Sequence, residues 1–132
     1  MTLTPHFTLE EFTCHDGTPY PPEWIETRLK PLCEDLEVIR EVIGGPLYVT
    51  CGYRTEAYNK AIYREMGKPA TKNSQHVQGL AADLVSRTKT AQVLHDIILK
   101  FIKEKKIRDG GLGLYHWGCH YDHGPIGRRW LG

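Results

Sequence analysis

His76 and Asp83 lie seven positions apart in Ser74-Gln75-His76-Val77-Gln78-Gly79-Leu80-Ala81-Ala82-Asp83, and a second cluster, His120-Tyr121-Asp122, follows near the C-terminus. Two neutral imidazoles and one carboxylate form the donor set of a catalytic zinc ion that keeps its fourth position open. The chemistry such a set offers is hydrolysis.

The neighbours sharpen both clusters. Gly79 lets the chain turn tightly after the loop that carries His76, and Ala81 and Ala82 leave room beside a metal. A carboxylate within the apolar stretch Leu80 to Val85 is costly unless paired or metal-bound. The plainer readings make Asp83 a helix cap or an arginine's partner, and His120 an ordinary core or surface histidine. They weaken when the two clusters occur together. His120 and Asp122 are two apart on an expected strand and so face one side, bringing Asp122 within reach of a water at the site.

The elements that must position these residues follow from pattern. Thr8-Leu9-Glu10-Glu11 reads as a capping box opening a short helix around Glu10 to Phe12. Pro21-Pro22 begins a long helix through Ile43, which Pro31 should kink or split and Gly44-Gly45-Pro46 should stop. Leu47 to Cys51 reads as a strand ended by Gly52. Thr55 can cap a helix from about Glu56 to Met66, and Gly67 to Ser74 is a polar loop leading to His76. Leu80 to Val85 reads as a buried strand. Thr88 or Thr90 starts a helix whose core stripe is Val93, Leu94, Ile97, Ile98, Phe101 and Ile102. Gly110-Gly111 to Tyr115 and Cys119 to Asp122 form two short strands of a hairpin. The expectation is one α+β domain over residues 1–132, a small, mainly antiparallel sheet flanked by helices.

Bulk properties narrow the classes. The chain has 132 residues, 40% hydrophobic and 25% charged, with a formal net charge of +1. That is ordinary globular composition, long enough for a core without disulfides. So small a net charge gives no strong pull toward nucleic acid or an anionic membrane. The basic run Lys100, Lys103, Lys105, Lys106 and Arg108 fits the solvated C-terminal end of a helix, where cations also favour the dipole. No apolar run approaches the ~20 residues of a membrane span. Met1 to Phe12 does not resemble a signal peptide, so the expected location is cytoplasmic as synthesised. The four cysteines (Cys14, Cys33, Cys51 and Cys119) include no Cys-x-x-Cys pair. They are expected to be reduced and mainly buried, with Cys119 facing the opposite side of its strand from His120.

Cys51-Gly52-Tyr53-Arg54-Thr55, Ser74-x-His76-x-x-Gly79-x-Ala81-x-Asp83, Gly111-x-Gly113-x-Tyr115 and His120-x-Asp122, followed by Arg129-Trp130, together resemble the M15 family of zinc D-Ala-D-Ala peptidases. The likeness is to its short phage and bacterial members with the Hedgehog-type peptidase fold, and it runs from Phe7 to Trp130. The resemblance implies one zinc ion held by His76, Asp83 and His120, which lowers the pKa of water and polarises a carbonyl. It implies that Arg54 holds a substrate carboxylate by a two-pronged hydrogen bond. It also implies that Tyr53, Ser74 and Gln75 contribute to the substrate pocket.

This sequence departs from the family's pattern at one position. Dipeptidase members carry a general-base glutamate three residues before the last histidine, where this chain has Trp117. Asp122 is the expected substitute, as base or as the residue that orients His120, ahead of His116 and His123. The implied activity is hydrolysis of an amide in the peptidoglycan stem peptide, by a monomer, as a D-Ala-D-Ala carboxypeptidase or an endopeptidase. A phage endolysin released by a holin fits the expected location. The alternative is a zinc-stabilised binding module of the same fold without turnover.

Overall fold

Pro31 decides how the first long helix begins. In the computed structural model, which describes residues 1–70 and 73–132, the segment expected as one helix divides at that proline. A 3-10 turn spans Pro22–Trp24, and a wider π-helical turn spans Ile25–Leu29. Helix α1 then occupies Lys30–Ile43 with the proline in its first turn. A proline there forfeits only an N–H that has no intrahelical partner. Gly44, at φ +65°, ends α1 in the left-handed conformation that glycine adopts freely.

The N-terminal strands β1 (Thr2–Thr4) and β2 (Phe7–Thr8) pair with each other and lead into a 3-10 turn at Leu9–Phe12. Thr8 N donates to Glu11 Oε2 at 3.0 Å there, as the capping-box pattern predicts. Strand β3 is Leu47–Cys51. Helix α2 (Glu56–Glu65) starts on the Thr55 hydroxyl, which accepts from Tyr58 N at 3.1 Å. The Gly67 to Ser74 loop contains Thr71 and Lys72, which lie outside the described residues. Strand β4 is Ala81–Ser86, and helix α3 is Ala91–Lys103, capped by Thr90 rather than Thr88. The hairpin partners are β5 (Gly111–Leu114) and β6 (Cys119–Asp122), and β7 (Arg128–Leu131) closes the list.

The main sheet runs β3-β4-β6-β5-β7, antiparallel except for the parallel pair β5 and β7. An α+β domain with a mainly antiparallel sheet is therefore what this chain forms. The core face carries Ala82 and Leu84 from β4, Leu112 from β5, and Cys119 and Tyr121 from β6. Against these pack Leu32, Leu36 and Ile39 of α1 and Leu94, Ile98 and Phe101 of α3. The side chains at alternate strand positions point the other way. That second face bears the chemistry.

Candidate metal centre

Strand register lays the chemical residues out in rows. Asp83 of β4 is directly paired with Cys51 of β3 on one side and with His120 of β6 on the other. His120 is in turn paired with Gly113, and Gly113 with Trp130. One row therefore reads Cys51, Asp83, His120, Gly113, Trp130 across all five strands. The adjacent row reads Ala81, Asp122, Gly111, Arg128. The glycines are needed for space: a Cβ at Gly113 would fall inside the Trp130 indole, and one at Gly111 would strike Asp122 and Arg128.

His76 reaches the row from above. Its loop turns at Gly79, which has φ +69°, and its carbonyl accepts from Arg54 N at 3.1 Å. The imidazole Nδ1 lies 2.7 Å from the Gly52 carbonyl, and Nε2 lies 3.2 Å from Asp83 Oδ1. His120 is arranged with its nitrogens exchanged: Nε2 is 2.7 Å from Asp122 Oδ2, and Nδ1 is 3.2 Å from the same Asp83 Oδ1.

These bonds fix the tautomers. A carbonyl or a carboxylate only accepts, so His76 Nδ1 and His120 Nε2 carry the protons. In the neutral rings, His76 Nε2 and His120 Nδ1 then aim lone pairs at one carboxylate oxygen. Acceptors facing each other in a buried site repel unless a cation stands among them. Donors ~2.0–2.1 Å from a tetrahedral ion are separated by roughly 3.3 Å, close to the 3.2 Å found twice here. Each of the two histidine–Asp83 pairs has the spacing of donors on a zinc-type ion. Without a cation, a proton relieves the repulsion. Burial opposes charging His76, but Asp83 and Cys51 outweigh it and raise the imidazole to about 10. Burial likewise raises Asp83, but its bonds to His120 and His76 win and hold the carboxyl well below its usual range.

Among the described residues, Cys51 forms a group with His76 and Asp83 that does not include His120. The donor atoms of those three all lie within 4.8 Å of one another. Burial pushes the Cys51 thiol up, yet His76 and Arg54 bring it below its ordinary value. Cys119 is elsewhere: on the core face, its Sγ bonds to the Ala91 carbonyl at 3.4 Å, and burial pushes its thiol up to about 12.

Asp122 lies behind His120, on the ring edge away from Asp83. It is 0% exposed. Oδ2 holds His120, while Oδ1 accepts from Gly111 N at 3.0 Å, Gly124 N at 2.8 Å and the Arg128 guanidinium. Burial raises its carboxyl, but these partners, His120 foremost, bring it down to about 2. Of the two roles open to Asp122, the contacts are those of a residue that orients His120. His123 is turned away from the site, with Nε2 2.7 Å from Asp35 Oδ2.

His76, Asp83 and His120 open into a cavity of about 590 Å³. Arg54, Ser74, Gln75, Tyr115, Trp117 and Trp130 are in its wall. The Arg54 guanidinium is held from three sides: Nε donates to Cys51 Sγ at 3.2 Å, one terminal nitrogen to Asn59 Oδ1 at 3.3 Å, and the other lies 3.7 Å from Asp83 Oδ2. Trp117 stacks on Tyr115 with ring centroids 4.9 Å apart. Tyr53 is placed differently from the substrate-pocket expectation. It packs edge-on against Tyr20 and Trp24, at 5.8 and 6.3 Å, outside the cavity wall.

The family model for peptidase M15 matches residues 5–122. The chain belongs to the peptidase M15 family. A curated relative is a probable peptidoglycan L,D-endopeptidase, MepK, from Haemophilus influenzae, 35% identical over 91 residues. That alignment covers 67% of this chain and 45% of the relative, so the chain matches about half of that protein's length. No solved structure matches. Both clusters that define the candidate centre, as far as Asp122, lie inside the peptidase M15 match.

Reading the sequence alone missed Cys51, Asn59 and Arg128. Cys51 carried no metal-type spacing, because its partner Asp83 is 32 residues away and meets it only through strand pairing. Arg128 carried no strand signal, because Arg128-Arg129-Trp130-Leu131 does not alternate polar with apolar residues.

Proposed function

We propose that this M15 peptidase is a zinc-dependent enzyme that hydrolyses an amide bond in the peptidoglycan stem peptide. The observation that carries the reading is the convergence of His76 Nε2 and His120 Nδ1 on Asp83 Oδ1 at the wall of an open cavity. His76, Asp83 and His120 would hold the ion, whose chemistry is to activate water near neutral pH and polarise the carbonyl. The chain's own residues do the rest. Asp122 keeps the His120 Nε2 proton and turns Nδ1 inward. Arg54, preset by Cys51 and Asn59, offers its guanidinium to a substrate carboxylate. The Tyr115 and Trp117 pair walls one side and keeps bulk water from the peptide.

The name of the Haemophilus influenzae relative supports peptidoglycan as the substrate and an endopeptidase as the activity. An Arg54 that binds a terminal carboxylate favours a D-Ala-D-Ala carboxypeptidase instead. We hold the endopeptidase first, with a single chain acting as a monomer, and export to the wall through a phage holin as the route. The test is digestion of purified peptidoglycan with and without chelator, then zinc add-back, with products identified by mass. Chelator-sensitive release that zinc restores establishes the activity, and the fragment masses name the bond.

A second reading draws on a specific observation. The carboxylates in the cavity wall among the described residues are Asp83 and Asp122, and both are engaged. A zinc-stabilised binding module would need no free base. Zinc-loaded protein that binds peptidoglycan but releases nothing from it selects that reading.

A further inference from the structure

His120 is the middle of a chain of charged contacts that crosses the sheet. Its Nδ1 lies 3.2 Å from Asp83 Oδ1, and its Nε2 lies 2.7 Å from Asp122 Oδ2. Each of those carboxylates also meets a guanidinium. Arg54, just beyond β3, comes to 3.7 Å from Asp83 Oδ2, and Arg128, at the start of β7, donates to Asp122 Oδ1. Strands β3 and β7 are the two edges of the sheet, so the cations approach His120 from opposite sides. Both line the same cavity.

Arg128 is held in place from several directions. Its Nε donates to the Pro125 carbonyl at 2.9 Å, and its guanidinium lies 5.9 Å from the Trp130 ring centre. Gly111 and Gly124 leave the room it occupies, since a Cβ at either would lie 2.8 Å from Arg128 Nη2. Asp122 does not depend on this partner for its hydrogen bonds. Gly111 N and Gly124 N already reach Oδ1, and His120 takes Oδ2. Among the described residues no hydrogen bond uses Arg128 Nη1, and 35% of the side chain is exposed, against none of Asp122. A guanidinium fixed along one edge and open on another is set to receive a second carboxylate. Charge balance favours the same ligand. The two guanidiniums offset the two carboxylates of the wall, so a bound divalent ion leaves the cavity positive.

We infer that Arg128 is a second carboxylate-binding residue of this site, and that the substrate bears a free carboxylate on each side of the amide that is cut. The inference rests on the peptidase reading above for the nature of the ligand. Arg54 holds one carboxylate and Arg128 the other, which sets the amide between them over His76, Asp83 and His120.

The probe is a synthetic stem-type peptide with one free carboxylate on either side of its central amide, beside the two forms in which one carboxylate is amidated. Calorimetry with the metal-free full chain measures binding without turnover. The doubly free peptide should bind tightest, and either amidation should weaken it about tenfold. Arg128→Gln should erase the penalty of one amidation and leave the other, whereas a merely structural Arg128 would weaken all three peptides alike. Parent protein that binds all three equally, or none, overturns the inference whether or not Arg128→Gln folds. Zinc-loaded parent is then tested for cleavage of the same peptides. Selective binding without cleavage keeps the second carboxylate site and overturns the peptidase reading. Cleavage indifferent to either amidation overturns this inference alone.

Discussion

His120 Nε2 lies 2.7 Å from Asp122 Oδ2, on the opposite edge of the ring from Asp83. That bond fixes the tautomer, so Asp122 would act on a bound metal through His120. Asp122→Asn keeps the shape but lets the amide nitrogen compete for the same position, and zinc affinity should fall about 10–100-fold. Competition with a chromophoric chelator measures it. An unchanged affinity would remove Asp122 from the orienting role. Asp122→Ala also strands His120, Arg128 and two backbone N–H groups, and should cost about 3–5 kcal/mol in denaturant unfolding.

Arg54 is preset by three neighbours yet keeps its place in the cavity wall. A lysine retains the charge and loses the planar fork. For a substrate with a free carboxylate, Arg54→Lys should raise KM about tenfold with kcat little changed, the pattern of lost uniform binding. Steady-state kinetics on a stem peptide and on its amidated form tests this. If both forms lose equally, the carboxylate is not the partner of Arg54.

The fold was legible where periodicity or caps were strong. Thr55 and Thr90 cap their helices, and the β5–β6 hairpin follows from Gly110-Gly111 and Cys119 to Asp122. The first cluster drew attention through Gly79, Ala81 and Ala82, and strand pairing sets His120 beside Asp83. What the sequence could not display was cross-strand register. Cys51 becomes a neighbour of Asp83 only when β3 pairs with β4, and Arg128 meets Asp122 only because β7 lies parallel to β5. Tyr53 shows the same limit in reverse. It adjoins Arg54 in the chain, yet strand-end geometry sends it to Tyr20 and Trp24.

Gly113 leaves the space that Trp130 fills. An alanine there must push the indole aside, breaking the Trp130 Nε1 bond to the Tyr115 hydroxyl at 2.7 Å and disturbing the Tyr115–Trp117 wall. Gly113→Ala should destabilise by about 1–3 kcal/mol and change Trp fluorescence. If stability and fluorescence are unaffected, Trp130 does not pack over Gly113 in solution.

Metal removal should expose a pH dependence with a definite sign. In the metal-free protein the His76 imidazole is raised to about 10, against an unfolded value of ~6.5. Its contribution to stability is therefore fully present below ~6.5 and lost as pH rises through about 10. The Asp83 carboxyl is lowered, so its contribution is present above ~3.9 and lost as pH falls further. For this site the metal-free chain should be steadiest between about pH 4 and 6.5. Zinc must displace the His76 proton, so its affinity rises with pH over the range in which metal-free stability declines. Urea unfolding of chelated protein across pH, beside calorimetric zinc titration in buffers of different ionisation enthalpy, checks both arms. Zinc uptake without proton release near pH 7 would show that His76 is already neutral and that the repulsion at Asp83 Oδ1 is relieved in another way.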